Sequence, residues 1–440
     1  MPWPPKKLSL LAMRFFYLLL FSLPFLIFNS CSKDDDIEDQ MEIPTTDTIK
    51  PINLWEYKID LPLDGQSRSD SLFRLVMVDD VILVMNNGNG SLHGLSTNGD
   101  LLWKNSNFGK NGLFDIFKAG DNYIVYNNQI ETPGDYQTLN IQSGETFHKK
   151  ISDEIEEINF LWKYNISHHD KYMLLQGLVF DMEENIHEFH IIDMANNQLV
   201  KKLEIQIDGT HKGKWGKIVV DEKNNKMYGW YNHEIEKFSH FGLIEIDMES
   251  YEYSHFQIER SEFELDLKYH PLILFDTTVY IPFGTEPYPL ISYDIKNRKF
   301  NWRTFGSISD PFIEFVFEQP HILSFQSNHT VSDYEWVQTK MSAVSPETGR
   351  NNWNINNVIK IFDPVSFYRP DNLGILLQHS SSSVNIIIID LETGHKKGII
   401  HANELSGTES FLSSPLIDER NNRLYIIDND LTLHAIEWPY

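Results

Sequence analysis

The sequence predicts an all-β protein, an eight-bladed β-propeller of four-stranded antiparallel blades whose ring is closed by an N-terminal strand. Three observations lead to this class. Beyond residue 51, short runs of Val, Ile, Leu, Tyr and Phe alternate with Asn, Gly and Asp turns, as in short strands. No helical period extends over more than two turns. The strand pattern also repeats about every 49 residues, which is typical of propellers.

The first thirty residues predict a targeting segment. They carry Lys6, Lys7 and Arg14 and no acidic residue, and an almost unbroken apolar run covers residues 15–28. This run has the length of the hydrophobic region of a signal peptide and is shorter than a spanning helix. Cys31, the only cysteine of the chain, follows it.

The segment that ends in Ser30 and Cys31 resembles the lipobox of bacterial lipoproteins, in which the chain is cut before the cysteine and the cysteine is acylated. Phe28 and Asn29 stand where that family prefers leucine and a small residue. Looser boxes followed by acidic residues, here Asp34–Asp36, are similar to those of Bacteroidetes lipoproteins exported to the cell surface. The resemblance implies an outer-membrane lipoprotein on the cell surface or the periplasmic side. A plain secretory signal and an uncleaved membrane anchor are the alternatives.

Residues 31–51 are acidic and polar without a hydrophobic period, and they predict a disordered tether. Cleavage before Cys31 would leave 34 basic and 63 acidic residues, a net charge of −29. This charge argues against a nucleic acid partner and against adhesion to anionic headgroups. Because no other cysteine exists, the sequence excludes a disulfide framework, a thiolate metal site and a cysteine nucleophile.

Residues 52–440 contain eight units of the repeat. Each unit has a strand, a tight polar turn and a further strand that often contains an aromatic residue. The turns after Asp221 and Asp418 are nearly identical in sequence and lie four units apart; in both, the aspartate is expected to cap a turn. The residues that end the third strand of successive units are predicted to be Ser96, Asn140, Asp193, Asp247, Asp294, Ser345, Asp390 and Glu437.

The segments LHGLSTNGDLLW (92–103), SAVSPETGRNNW (342–353) and IIIDLETGHKKG (387–398) resemble the pyrroloquinoline-quinone-like (PQQ-like) propeller repeat. Enzymes of that superfamily bind the quinone and calcium, commonly beside adjacent cysteines. Those cysteines and a carboxylate-rich calcium loop are missing here, so no cofactor is expected. The same repeat family includes the lipoprotein of the outer-membrane β-barrel assembly machinery, which docks on the barrel subunit; that analogy concerns the fold alone.

The eighth unit ends after three strands, at residues 438–440. The segment NLWEYKID (53–60) is expected to supply its missing outer strand, with Trp55 in the position held elsewhere by Trp103, Trp302 and Trp353. Closure of this kind removes unpaired strand edges. The alternative is a seven-bladed ring with a separate N-terminal strand.

Function is predicted to reside on one face of the ring. With strands A to D numbered from the axis outward, the A–B and C–D turns are short, whereas the B–C and D–A connections are long and leave the same face. Aromatic residues there would suit a protein or glycan partner, although these loops could also only pack on each other. The residues predicted for this partner-binding face are Tyr136, Tyr231, Phe238, Tyr288, Tyr334 and Trp336.

No catalytic or metal-binding residues are predicted. His168, His169 and Asp170 lie in an expected A–B turn, and His187 and His190 should point to opposite faces of a strand. The sequence therefore favours a non-catalytic membrane-anchored scaffold that binds an outer-membrane protein or surface complex. A binder of surface glycan or a small molecule is the alternative, and a quinoprotein oxidoreductase is a more remote one.

Overall fold

A computed structural model describes most strands of the chain beyond Thr46 and some of their connections. These residues lie in one compact unit, Asp47–Tyr440. They contain no helix that has both the length and the hydrophobicity needed to cross a bilayer. The predicted signal segment, Cys31 and most of the predicted tether lie outside them. The described ranges are 47–60, 73–86, 90–106, 114–119, 122–127, 136–149, 165–168, 172–178, 186–193, 198–206, 210–215, 219–221, 223–235, 238–261, 272–282, 290–304, 312–318, 321–327, 337–360, 365–380, 383–405 and 410–440.

The described strands follow the predicted repeat, and each repeat is called a unit below. Unit 1 contains β3 (Phe73–Val78), β4 (Val81–Asn86), β5 (Ser91–Ser96) and β6 (Leu101–Asn105). Unit 2 contains β7 (Phe114–Ala119), β8 (Asn122–Asn127), β9 (Tyr136–Leu139) and β10 (Thr146–Lys149). Unit 3 contains β11 (Asn165–His168), β12 (Tyr172–Leu178), β13 (Ile186–Asp193) and β14 (Gln198–Gln206). Unit 4 contains β15 (Thr210–Trp215), β16 (Val219–Asp221), β17 (Lys226–Ile235), β18 (Phe238–Asp247) and β19 (Tyr253–Ser261).

The second half of the chain continues in the same order. Unit 5 contains β20 (Ile273–Phe275), β21 (Thr278–Pro282), β22 (Leu290–Asp294) and β23 (Lys299–Arg303). Unit 6 contains β24 (Phe312–Glu318), β25 (His321–Ser327), β26 (Val337–Val344) and β27 (Asn351–Lys360). Unit 7 contains β28 (Val365–Tyr368), β29 (Leu373–His379), β30 (Val384–Asp390) and β31 (Lys396–His401), and is followed by the short helix α1 (Ala402–Leu405). Unit 8 contains β32 (Leu416–Asp418), β33 (Arg423–Ile427) and β34 (Thr432–Glu437), and two strands precede unit 1, β1 (Asp47–Thr48) and β2 (Asn53–Lys58).

Within each unit, consecutive strands pair antiparallel, which confirms the all-β class and the four-stranded sheets. Units 6 and 7 merge into one sheet because the end of β27 pairs with β29, at Val358↔Gln378 and Ile359↔Leu377. Buried apolar clusters fill the space between consecutive units from 1 to 2 and from 3 to 8. A further cluster, which includes Leu75 of unit 1 and Tyr425 of unit 8, joins the last unit to the first.

The residues predicted to end the third strands lie within one residue of the observed ends. Their polar side chains explain why the strands stop there. The Asp247 carboxylate accepts hydrogen bonds from the backbone N–H groups of Ser250 and Glu249, at 2.8 and 3.0 Å. These bonds, with one from the Ser250 hydroxyl, hold the pKa of Asp247 below its usual value. The Asp side chain therefore caps the turn that leads to the fourth strand.

Tryptophans in the fourth strands of units 1, 5 and 6 connect each of these units to the next. The Trp103 indole N–H of unit 1 donates to the Ile141 carbonyl of unit 2 at 2.8 Å, and the indole ring lies over Gly144. A Cβ atom on Gly144 would lie 2.4 Å from the ring, and its backbone has φ +72°. Glycine is therefore required there for two reasons, the left-handed backbone and the close ring. The same indole-to-carbonyl bond joins Trp302 to Pro346 and Trp353 to Leu391.

Where no tryptophan is present, the glycine is absent as well. In the turn between β22 and β23, Arg298 has the left-handed backbone with φ +51°. The ring that faces it is Phe256 of unit 4, and the Arg298 guanidinium lies 4.9 Å from the centre of that ring. The close approach of tryptophan, more than the positive φ alone, thus determines where glycine occurs in these turns.

The strand β2 occupies the position predicted for it beside unit 8. It pairs antiparallel with β34, with Trp55 opposite Ala435 and Lys58 opposite Thr432. The Trp55 indole N–H donates to the Thr97 carbonyl of unit 1 at 3.0 Å, and its ring lies against Gly99. Trp55 therefore makes with unit 1 the contact that the other tryptophans make with the units that follow them.

Part of the predicted tether is structured, which corrects its boundary at residue 51. Asp47 and Thr48 pair in parallel with Gly398 and Ile399 at the outer edge of unit 7. The Ile49 N–H donates to the Ile399 carbonyl at 2.9 Å. The Ile49 side chain packs where a Cβ atom on Gly398 would lie, so a small residue on β31 accommodates the segment.

Candidate functional site

The two faces of the strand arrangement differ in the length of their connections. The A–B and C–D connections contain two to six residues, and they define the short-turn face. The B–C and D–A connections define the long-loop face, and the longest of them, residues 150–164, contains fifteen. Most residues of the longer connections lie outside the described ranges. The prediction holds in part: every connection of more than six residues between described strands lies on the long-loop face, but the B–C connections of units 1, 4, 7 and 8 contain only two to four residues.

Side chains bind neighbouring turns together on the short-turn face. The Tyr123 hydroxyl of unit 2 donates to the Asp79 carboxylate of unit 1 at 2.9 Å. Burial, together with this bond, raises the pKa of Tyr123 to about 12. The Glu419 carboxylate of unit 8 accepts the backbone N–H of Arg369 in unit 7 at 2.8 Å. Such contacts hold the short-turn face in one geometry.

Asp221 and Asp418 cap their turns, as the sequence indicates. In each turn the carboxylate accepts the backbone N–H and the side-chain amide of the same asparagine, Asn224 in unit 4 and Asn421 in unit 8. The two amide-to-carboxylate distances are both 2.7 Å. These recurring aspartates are therefore explained by turn geometry.

The structure corrects the position of Tyr231. This residue lies within β17 and only 2% of its surface is exposed. Its ring packs against Gly242 on the neighbouring strand, and its hydroxyl lies 3.5 Å from Nδ1 of His255. Burial raises the pKa of Tyr231 to about 12. Its ring belongs to the core between units 3 and 4 and is not available to a partner.

The segment 231–240, predicted as a loop, is instead a long hairpin. Its residues pair from Tyr231↔Gly242 to Ile235↔Phe238, which leaves a connection of two residues. Phe238 and Tyr136 begin β18 and β9, and their side chains lie outside the described part of the structure. Tyr288, Tyr334, Trp336 and Cys31 also lie outside the described residues, so their roles stay predictions.

A cavity of about 330 Å³ lies among the inner strands of units 7, 8 and 1. Its wall is formed by β3, β28, β32 and residues 414–415, which precede β32. Two arginines, Arg74 and Arg369, line it together with apolar side chains such as Phe367 and Leu416. The Ser366 hydroxyl donates to the Pro415 carbonyl and joins units 7 and 8 at this wall. Sequence reasoning missed this cavity.

Buried histidines recur in the third strands, and sequence reasoning, which considered His190 alone, missed this recurrence. His93, His190 and His434 are each 1% exposed and each lie three residues before the residue that ends the strand. This common offset is the signal that could have revealed them. Burial, and then the charge of Lys104, lower the pKa of His93 to about 4, so its ring is neutral near pH 7.

His434 forms a buried pair with Asp428, with 2.8 Å between Nε2 and Oδ2. The same aspartate accepts the backbone N–H groups of Asp430 and Thr432, both at 2.9 Å. Glu56 of β2 lies 3.4 Å from Nδ1 of His434. The pair therefore orders the B–C turn of unit 8 beside β2 and has the geometry of a structural contact.

The described residues show no calcium site of the kind that quinoprotein enzymes use. They contain no group of three His, Cys, Asp or Glu side chains suited to a metal ion. The wall of the cavity carries two arginines and no carboxylate, whereas calcium requires several oxygen ligands.

His168 lies in β11, while His169 and Asp170 lie outside the described ranges. His190 is buried in β13 opposite Leu175, which is consistent with a structural role.

Comparison with known proteins identifies the fold. No protein-family model and no curated protein matches the chain. Among solved structures, quinohemoprotein alcohol dehydrogenase from Comamonas testosteroni has a TM-score of 0.55 at 10% identity, covering 89% of this chain and 77% of its own. The fold is that of a β-propeller.

Two further structures are similar. A europium-containing methanol dehydrogenase has a TM-score of 0.53 at 8% identity, over 86% of this chain and 84% of its own. BamB from Moraxella catarrhalis has a TM-score of 0.45 at 9% identity, over 88% of this chain and 99% of its own. At these identities the comparison concerns the fold and does not assign an activity.

Proposed function

We propose that this chain is a non-catalytic lipoprotein whose eight-bladed propeller binds a protein partner at the outer membrane or cell surface. The chain is held to the bilayer through acylated Cys31, and β2 closes the ring. The observation that carries the proposal is the difference between the two faces: short turns bonded to one another on one face, and long connections on the other.

This difference favours binding through the long-loop face. The short-turn face is occupied by bonds between units, such as Tyr123 to Asp79 and Glu419 to Arg369. Long connections on a rigid scaffold can vary in sequence and shape without disturbing the core, which is why binding residues are often found on them. A partner surface of protein dimensions suits a face that combines connections from many units.

Closure of the ring is supported by three contacts of the N-terminal strand and the last unit. β2 supplies the fourth strand of unit 8, the Trp55 indole bonds unit 1, and a buried apolar cluster fills the space between units 8 and 1. Counted with β2, the described strands form eight groups, of which seven have four strands and unit 4 has five because its inner strand is divided. In a closed ring, the sheets of units 1 and 8 cover each other, so neither unit leaves a large apolar face exposed.

The charge of the chain narrows the class of partner. A mature chain with a net charge of −29 is repelled by nucleic acid and anionic headgroups. Acyl chains on Cys31 would anchor it through apolar contact, worth roughly 0.8 kcal/mol for each buried CH₂ group. The partner is therefore expected to be an outer-membrane protein or surface complex.

The cavity among units 7, 8 and 1 favours a second candidate function, a binder of a surface glycan or small molecule. Its mixture of apolar side chains with Arg74 and Arg369 could hold a small acidic ligand. Saturable binding of a purified acidic glycan, lost when Arg74 and Arg369 are both replaced by alanine, would favour this candidate over the scaffold. A quinoprotein oxidoreductase is the third candidate, and the described residues contain no group of three side chains suited to its calcium ion.

Cys31→Ser is expected to move the protein from the membrane fraction to the soluble fraction of cells. It should also remove the protein partner captured from membranes by cross-linking and mass spectrometry, because the propeller would no longer be held at the bilayer. Ser32→Ala is the matched control and should change neither result. Retention of the Cys31→Ser protein in the membrane fraction would contradict acylation, and wild-type protein without an enriched partner would contradict the scaffold.

A further inference from the structure

The sheet of unit 4 extends beyond the regular repeat on the long-loop face. Its B and C strands, β17 and β18, contain ten residues each. The inner strand is divided, so that β16 pairs with the start of β17, whereas β15 pairs with its far end, from Thr210↔Glu234 to Trp215↔Tyr231. The outer strand β19 follows the extension as far as Ser261, opposite Ser239. Unit 4 therefore presents a four-stranded extension with β15 at its inner edge.

Along its other edge, β15 has no partner strand among the strands that the structure describes. An edge without a partner strand offers backbone N–H and C=O groups to an incoming strand. Gly213 lies inside β15, and a glycine within a strand often marks a place where another backbone approaches closely.

The charge of β15 is opposite in sign to the net charge of the chain. The strand reads THKGKW and contributes Lys212 and Lys214, and no Asp or Glu occurs between residues 209 and 220. The whole chain carries a formal net charge of −26. A basic edge strand in an acidic protein attracts an acidic segment, while the rest of the surface repels it.

We propose that β15 binds an extended acidic segment of the partner protein by strand addition. The backbone of the segment would pair with the edge of β15 that faces away from β17, and its carboxylates would be attracted by the lysines of this strand. Main-chain pairing would supply affinity, and the charge would select an acidic sequence. This inference rests on the proposed scaffold function and names the part of the long-loop face that would recognise the partner.

The probe for this inference is a fluorescent peptide of four Glu-Thr repeats, titrated by anisotropy against the full-length protein in detergent. Saturable binding is expected. Lys212→Glu combined with Lys214→Glu should weaken it by at least about tenfold, because two attractions become repulsions. Lys201→Glu combined with Lys202→Glu is the matched control: it makes the same charge change on β14, where both lysines are exposed, and should change affinity less than about twofold.

A second probe separates strand addition from simple charge attraction without altering the protein. The same peptide with alternate backbone amides N-methylated keeps its carboxylates but loses the N–H donors along one of its own edges. It should bind the protein at least about tenfold more weakly than the unmethylated peptide. Absence of saturable binding, equal weakening by the two lysine pairs, or unchanged binding of the methylated peptide would each overturn the inference. If one of these results were obtained and cross-linking in cells still captured a protein partner, only strand addition by β15 would be contradicted. If no protein partner were captured either, the scaffold function would be contradicted as well.

Discussion

Replacing Trp55 with alanine is expected to lower the free energy of unfolding by about 3 kcal/mol. The substitution removes the indole that lies over Gly99 and the bond to the Thr97 carbonyl, which together join the N-terminal strand to unit 1. It also opens a cavity beside Tyr425, whose ring centre lies 5.7 Å from that of Trp55. Urea unfolding followed by tryptophan fluorescence measures the effect.

Leu54→Ala is the matched control on the same strand. Leu54 is 43% exposed, so its truncation should change the free energy of unfolding by no more than about 0.5 kcal/mol. If Trp55→Ala destabilised the protein no more than Leu54→Ala, the N-terminal strand would be an accessory to unit 8 and would not link it to unit 1.

Gly144→Ala is expected to lower the free energy of unfolding by about 3 kcal/mol. Alanine at φ +72° adds backbone strain, and its Cβ atom would lie 2.4 Å from the Trp103 ring, so the ring must move. The movement would disturb the 2.8 Å bond from the Trp103 indole to the Ile141 carbonyl. The change in the urea midpoint at constant slope measures it.

A double-mutant cycle with Trp103→Ala separates the two causes. Without the indole ring, Gly144→Ala should cost only about 1 kcal/mol, the part that comes from the left-handed backbone. Equal costs of Gly144→Ala in both backgrounds would contradict the view that the ring determines where glycine occurs in these turns.

The fold was largely predictable because the repeat is recorded in local sequence. Turn-capping side chains such as Asp247 and Asp390 end the third strands and recur at nearly constant spacing. Trp55 was recognisable because it shares its strand position with Trp103, and both make the same contact. Strand ends and contacts between consecutive units therefore follow from patterns only a few residues long.

Two predictions failed where a pattern could not distinguish an exposed residue from a paired one. Tyr231 lies in a polar stretch that looks like a loop, yet backbone pairing extends through it and Gly242 leaves room for its ring. Asp47 and Thr48 are polar and come after an acidic stretch, but Gly398 opens a place for Ile49 beside β31. In both cases the decisive glycine is on another strand.

The candidate site was not predictable for the same reason. The cavity combines Arg74 of unit 1 with Phe367 of unit 7 and Leu416 of unit 8, which are far apart in sequence. The buried bond between His434 and Asp428 likewise depends on the conformation of one turn. Periodicity indicates which strands exist, whereas a cavity depends on how strands of different units face one another.

The most direct test of the scaffold function is site-specific photo-cross-linking in cells at two positions of unit 7. His379 lies at the B–C connection on the long-loop face, and Glu392 lies in the C–D turn on the short-turn face; both are exposed. A photo-reactive residue at 379 is expected to capture one outer-membrane protein that the same residue at 392 does not capture. Capture from 392 alone, or no captured protein at either position, would contradict a partner-binding long-loop face.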